Sequence, residues 1–523
     1  MFFEDAESCK VWLASLPANN IHKAQQGVLD ALRILNRESR YSPLTRLTCV
    51  EMLRERVAVL LAEQRLRYVG KTIPLAAGEY GAWTISRQLI DEMEAGYRRC
   101  LTEAIPADAP LAAHAALIIQ RIIRAIGLQM LAAGFIYRHF DKVLWTRLHT
   151  QWRDAEALGL TNTRVKDKVG AVEGYSSITQ AYTAVLLGQM AHIHELTPRQ
   201  IDFVDAVMKR FGHKVTMGVS PSAEGAVCCV DLNAEAGAAF TTSFLEGATM
   251  RVLFVDELSK SLRRRAKRLI DGEEPNEMDL PEGWTPTDAR NQIVRLHRLW
   301  CEGAHPRRAG VASLAAEAVV AFGIAETHFF VAGDGFEQPD ISRELTRQEM
   351  SEITLFGRVS EATVRARYAE YNYGTETWPI VDESLAAFRL LRPPKSARGV
   401  AIGAIVGLRV GKNADFYLGV IRELLDETEG KITVSVTLLP GKPEATAVRA
   451  ADARHLGTGQ YKQGFRLPPN EALKIAETLV LPQGLVARGK RLDIFHPGHG
   501  SAKEVTIVDF VERGIDFDRV TIA

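Results

Sequence analysis

Up to about residue 195 the apolar positions recur every three or four residues, the spacing of a helix face. Ile21, Val28, Leu32 and Leu35 mark one such face, and Leu44, Leu47, Val50, Leu53, Val57, Leu60 and Leu61 extend the pattern. Further helices are predicted over residues 83–101, 109–137, 142–158 and 176–192, with short breaks such as Pro106-Ala-Asp-Ala-Pro110 between them. Trp145, Leu148, Trp152 and Ala155 form a plain core stripe, and no 34-residue period emerges, so an irregular bundle is expected rather than a repeat array.

The pattern mixes over residues 196–303. Thr197-Pro198 opens a short helix ending near Phe211-Gly212, with threonine as N-cap and proline at the first helical position. Residues 215–220, 226–232 and 250–255 are strand candidates, and 258–270 and 287–301 are helix candidates. The polar stretch 272–283 is the expected linker, within a border between Glu195 and Arg308. From about Val311 strands dominate. Residues 318–331 read as a long strand or hairpin, a charged helical segment follows, and runs at 378–391, 400–409, 417–425, 431–438, 476–480, 491–495 and 502–522 complete the pattern. Such short runs with glycines between them indicate one small barrel or two. The predicted class is multidomain α+β: an α-helical domain (1–195), a small mixed α/β domain (196–303), a β-barrel with a charged helical segment at 342–371 (304–440), and a β-rich C-terminal extension (441–523).

Charge and cysteine content narrow the function classes. Lys plus Arg and Asp plus Glu both total 64, so the chain lacks the basic footprint of a general DNA or RNA binder. The six cysteines form no CxxC, and Cys228 and Cys229 alternate sides on a strand; reduced thiols in a cytoplasmic protein are expected. The start carries no basic n-region or apolar run of a secretion signal. Arg121, Arg124 and Arg138 interrupt the apolar stretch 110–140, so a buried helix is expected there and no membrane span.

Catalytic signatures are missing: no GxSxG, Walker-type loop, GxGxxG after a strand, or HExxH occurs. His192-Ile-His194 on a helix would point its rings apart, and His496-Pro-Gly-His499 has no cysteine or acidic company, so no metal is expected at either. Asp452, His455 and Ser501 make a triad only on paper, since geometry defines a triad. The basic run Arg263-Arg-Arg-Ala-Lys267-Arg268 reads as a solvated face, with an anion or partner contact as its alternative. The chain is expected not to be an enzyme.

A different kind of signal lies in Trp378-Pro-Ile-Val-Asp382-Glu-Ser384-Leu-Ala-Ala387, followed by Val400-Ala-Ile-Gly403, Leu418-Gly-Val-Ile-Arg422 and Val434-Ser-Val-Thr-Leu-Leu439. This order resembles the PilZ domain, a six-stranded barrel that binds cyclic di-GMP through RxxxR before its first strand and [DN]xSxxG on a following one. The resemblance implies ligand contacts from Asp382 and Ser384, with Ala387 standing where the family has glycine. Two arginine pairs compete for the first motif. Arg343 and Arg347 have the RxxxR spacing, which would start the barrel near Ile353-Thr-Leu-Phe356. Arg307 and Arg308 are adjacent and precede the run from Ala318, which would leave a long insertion splitting the barrel. The spacing favours the first pair. Guanidinium forks suit both the phosphates and the O6/N7 edge of guanine.

With Leu186-Leu-Gly-Gln-Met-Ala-His-Ile-His-Glu-Leu-Thr-Pro-Arg199, the overall order is similar to large multidomain atypical PilZ-like proteins of proteobacteria. That resemblance implies a cytoplasmic, non-enzymatic cyclic di-GMP receptor or adaptor. It would need no cofactor beyond this signalling ligand. It would relay the second-messenger level, through a protein partner of the helical region, to motility, surface attachment (biofilm) or matrix production. A homo-oligomer is left open. The alternatives are a degenerate PilZ-like interaction scaffold that binds no nucleotide and, more remotely, a hydrolase in the mixed region.

Overall fold

The three-to-four spacing folds as helices: α1 (Ala6–Ala14), α2 (Ile21–Arg37), α3 (Pro43–Tyr68), α4 (Ala77–Leu101), α5 (Ala115–Gly134), α6 (Lys142–Ala157), then a two-stranded β1 (Val165–Lys166) and β2 (Tyr175–Ser176), then α7 (Ile178–Met190) and α8 (Pro198–Phe211). This computed structural model describes the chain except residues 1–2, 18, 106–108, 222–224, 305–310, 312–316, 334, 340–345, 358, 361–362, 364–372, 412–414, 428–430, 452–458, 472–473 and 497–501. Val28, Leu32, Leu35, Val50, Leu53 and Leu60 are buried, while Leu44, in the first turn of α3, points outward. Thr197 caps α8 reciprocally with Gln200, and Pro198 opens it.

Helix α5 packs against α4, α6 and α7. With the preceding turn it runs Ala112–Gly134, long and apolar enough to cross a membrane by length and composition. Ile118, Ile119, Ile122, Ile123 and Ile126 are all buried against other helices, and Arg121 and Arg124 reach carboxylates of this same unit.

The chain divides into two units, Met1–Arg307 and Arg308–Ala523. The first also holds β3 (Thr216–Gly218), β4 (Val227–Asp231), β5 (Ala239–Thr241) and β6 (Met250–Phe254), an antiparallel sheet ordered β3-β6-β4-β5, with α9 (Asp256–Ile270) and α10 (Pro286–Cys301). Alternation separates the paired cysteines: Cys228 meets Met190 of α7 at 3.9 Å, whereas Cys229 packs with Val227 and Val252. The stretch 272–283 is not a linker. Met278 and Leu280 are buried, Arg265 Nε donates to the Met278 carbonyl at 3.0 Å, and Arg210 pairs with Asp279 at 2.5 Å, so the stretch is tied into its own unit.

The second unit contains β7 (Glu317–Phe322), α11 (Gly323–Ala332), α12 (Arg347–Phe356), β8 (Glu376–Glu383), β9 (Ala387–Arg392), β10 (Ile405–Val410), β11 (Tyr417–Asp426) and β12 (Ile432–Leu438). Six of these strands close an antiparallel barrel in the order β7-β8-β9-β12-β11-β10. The expected extension is itself a second closed barrel: β13 (Glu444–Ala450), β14 (Lys462–Leu467), β15 (Thr478–Pro482), β16 (Arg491–Phe495), β17 (Ala502–Arg513) and β18 (Phe517–Ile522), ordered β13-β14-β15-β18-β17-β16.

Two local readings change. The run 318–331 is a strand followed by a helix: Gly323 takes φ 68° and the Glu326 carboxylate accepts the Phe322 N–H at 3.2 Å, which starts α11. A short apolar run has no decisive period, so pattern could not find that break. Residues 378–391 form not one strand but the β8–β9 hairpin.

Helix α11 lies on the barrels because Gly407 of β10 leaves room for it; a Cβ there would sit 2.7 Å from the Thr327 methyl. The two barrels share one apolar cluster, Ile405, Leu418, Val420 and Leu439 from the first with Phe465, Leu467, Val480 and Phe517 from the second. Ile515 N–H donates to the Gly403 carbonyl at 3.0 Å, and Ile405 N–H donates to Asp516 Oδ1 at 3.0 Å.

Burial pushes the Asp516 carboxyl up to about 6, against the pull of the Ile405 N–H bond. Between the unfolded value near 4 and this one, the folded protein holds a proton that the unfolded chain has lost. Stability therefore falls as pH rises through that window, by on the order of 2–3 kcal/mol. Asp516→Asn, which keeps an acceptor for Ile405 without the charge, is expected to raise the melting temperature at pH 8 and leave it unchanged at pH 4. An equal shift at both pH values would refute this account.

Candidate functional site

The hairpin between β8 and β9 gathers the described residues of the candidate site. Ser384 N–H donates to the Ala387 carbonyl at 2.7 Å, closing a turn with Leu385 and Ala386 at its tip. Leu385 is fully exposed. The register of β8 against β9 shifts between Ile380 and Asp382, and such a bulge re-aims the side chains beyond it. Past the shift Asp382 stands opposite Arg389, and the guanidinium Nη1 lies 3.1 Å from Asp382 Oδ2. Ala387 opens β9 opposite Thr437 of β12, and the Ala386 carbonyl accepts the Leu438 N–H at 2.7 Å. Asp382, Ser384 and Ala387 thus share one hairpin end on the barrel wall.

The chain just before β7 reaches the same place. Val311 and Glu383 exchange backbone hydrogen bonds, Val311 N–H to the Glu383 carbonyl at 2.9 Å and Glu383 N–H to the Val311 carbonyl at 3.0 Å. Residue 311 therefore sits beside the position between Asp382 and Ser384.

The competing arginines are placed unequally. Arg347 is the first residue of α12, behind the Thr346 N-cap, and makes no ion pair among the described residues. Arg343, Arg307 and Arg308 lie outside the described residues. Residues 353–356 do not start the barrel, because they belong to α12; the first barrel strand is β7, ahead of the insertion that carries α11 and α12.

Arg389 was missed in the sequence. Its signal was there, since a turn centred on Leu385-Ala386 puts position 389 near 382, but reading 378–391 as one strand hid the pairing. The other singled-out residues assemble no site. Arg265 lies over the Phe211 ring at 3.8 Å, Arg268 pairs with Glu273, and Arg263 Nε donates to His297 at 3.0 Å, which engages three of the five basic residues of the run within their own unit. His192 takes a left-handed backbone (φ 52°), and among the described residues no three His, Cys, Asp or Glu side chains gather as for a metal. Asp452, His455, His499 and Ser501 lie outside the described residues.

The Asp382–Arg389 pair is half-exposed, and such pairs contribute about 0–1 kcal/mol. Asp382→Ala is therefore expected to leave the melting temperature of the full chain within about 2 °C of the parent by calorimetry. A larger drop would mean that the carboxylate holds the hairpin together.

No curated protein and no solved structure matches the chain. Residues 7–222, which run from α1 through α8 and end before β4, match the family model described as cyclic-di-GMP receptor FimW, N-terminal domain. The helical part of the first unit is thus similar to the N-terminal domain of FimW, consistent with a cyclic di-GMP receptor of the atypical PilZ-like kind.

Proposed function

We propose that this protein is a non-enzymatic cyclic di-GMP receptor whose ligand binds at the β8–β9 end of the first barrel. The observation that carries this reading is the Val311–Glu383 bridge. Only two residues, Ala309 and Gly310, separate Val311 from Arg308 in the chain. That short chain separation supports a role for Arg308 toward a ligand on the hairpin. That Arg307 and Arg308 precede the first barrel strand in the chain supports giving them the role of the arginine motif, whereas spacing favours Arg343 and Arg347.

In this site Arg307 and Arg308 fork the phosphates or the guanine edge, Asp382 and Ser384 supply polar contacts, and Arg389 holds Asp382 in place until the ligand arrives. The FimW match supports a receptor rather than a catalyst. Binding would be relayed to a protein partner of the helical region that governs motility, attachment or matrix production. A second reading, a scaffold that binds no nucleotide, draws on Ala387 in place of glycine and on Asp382 already paired.

Calorimetric titration of the full chain with cyclic di-GMP separates them. A hydrogen bond to a charged group is worth about 1.5–3 kcal/mol, so Arg307→Ala with Arg308→Ala should weaken binding at least about a hundredfold. The Arg343→Ala/Arg347→Ala variant should bind like the parent. The reverse result would move the site to the second pair, and no binding by the parent would leave the scaffold reading.

Ala387→Gly should tighten binding by letting the ligand approach the backbone, while lowering strand stability by about 0.5–1 kcal/mol. Unchanged affinity, measured in the same titration, would mean that the ligand does not touch this backbone.

A further inference from the structure

The helical domain contains a charge imbalance that the barrel site does not use. Asp167, between β1 and β2, is wholly buried and accepts Arg54 Nη2 at 2.5 Å, Gln120 Nε2 at 2.8 Å and the Gly170 N–H at 2.9 Å. Arg121 lies 3.6 Å from it and is itself held by Glu51 at 2.8 and 2.9 Å. Three guanidiniums, of Arg54, Arg121 and Arg124, thus share two carboxylates, Glu51 and Asp167. The surplus charge falls on Arg124. Among the described residues its ion pair is a 3.3 Å contact from Nε to Asp167, whose oxygens already serve the others, and its side chain is only 18% exposed. The next carboxylate, Asp205, is held by Lys209 at 2.7 Å. A shielded guanidinium without its own counter-charge is costly, because desolvation is incompletely repaid.

Arg124 lines a polar cleft of about 470 Å³ together with Arg164, Tyr175, Lys209, Arg210 and His213, beside the N-terminus of α7. Of the carboxylates, only Glu173 lines it among the described residues. Arg210 is engaged with Asp279, but Arg164 is exposed, lies 5.2 Å over the Tyr175 ring and makes no ion pair among the described residues. Two guanidiniums without dedicated carboxylates therefore face one cleft that also offers the hydroxyls of Ser177 and Thr179. A planar fork of this kind pairs bidentately with carboxylate or phosphate, and two forks facing one cleft suit the several charged oxygens of a phosphate.

We propose that this cleft, walled by Arg124 and Arg164, binds the phosphate of a small ligand of nucleotide size, at a site separate from the barrel. The site lies wholly within the first unit and does not depend on where cyclic di-GMP binds.

The test is calorimetric titration of the full chain with GMP and with pyrophosphate. Saturable binding is expected, weakened at least about tenfold by Arg164→Glu, whose exposed side chain has no ion pair among the described residues to lose. Arg124→Gln should weaken it similarly while leaving the ligand-free melting temperature unchanged or higher, because the surplus charge is gone. A purely structural arginine would instead lower it. GMP binding tighter than pyrophosphate assigns a nucleotide, and equal affinities assign a simpler phosphate; either supports the site. The Arg307→Ala/Arg308→Ala variant should bind both probes like the parent. No saturable binding of either probe, binding undiminished in Arg164→Glu, or binding lost in the Arg307/Arg308 variant would overturn the proposal.

Discussion

Strand β7 is hydrogen-bonded along both edges, to β8 on one side and to β10 on the other, and that double pairing makes the first barrel a barrel. An unclosed sheet would leave a row of N–H and C=O groups on β8 and another on β10, each open to pairing with another chain. Closure requires a segment from before the long insertion to return between strands that follow it. Val311, which precedes β7 in the chain, meets Glu383 at the end of β8. The position of the candidate site follows from the need to close the sheet.

The same unit stores its polar groups where they hold shape rather than at random. Asp516 is partly buried where the barrels meet, and Gly407 gives up its side chain so that α11 can lie on the wall. Because Ile405 and Val420 pack with Phe465 and Phe517 in one cluster, a shift in β10 or β11 is felt by the second barrel through close-packed contacts. The β8–β9 hairpin belongs to a barrel whose core is shared with its neighbour.

The helical unit is organised around a buried carboxylate. Asp167 gathers arginines from α3 and α5 and ties the β1–β2 segment to them, and a Cβ at Gly170 would strike its carboxylate at 2.7 Å. Removing the Asp167 carboxylate would leave three guanidiniums with Glu51 alone, and breaking a buried network in this way typically costs about 3–5 kcal/mol. The stretch matched by the FimW domain model contains this network entire, and the barrels lie outside it. The two units therefore carry separate electrostatic designs.

What the sequence determined by itself was whatever depends on near neighbours. The helix faces of α2 and α3, the Thr197 cap, the core stripe of α6 and the alternation that separates Cys228 from Cys229 are local, and each was readable from spacing. So was the hairpin carrying Asp382, Ser384 and Ala387, as a motif if not as a turn. Spacing could not place the arginines, because RxxxR recurs by chance and says nothing of which strand comes first in the barrel. That order, the bulge that sets Asp382 against Arg389, the second barrel's closure and the sharing of Asp167 among three arginines all join residues far apart in the chain. Only tertiary structure decided them. Pairings across such separations are selected by the closure of backbone hydrogen bonds and the balance of buried charge over the whole unit, and no window of sequence contains both partners.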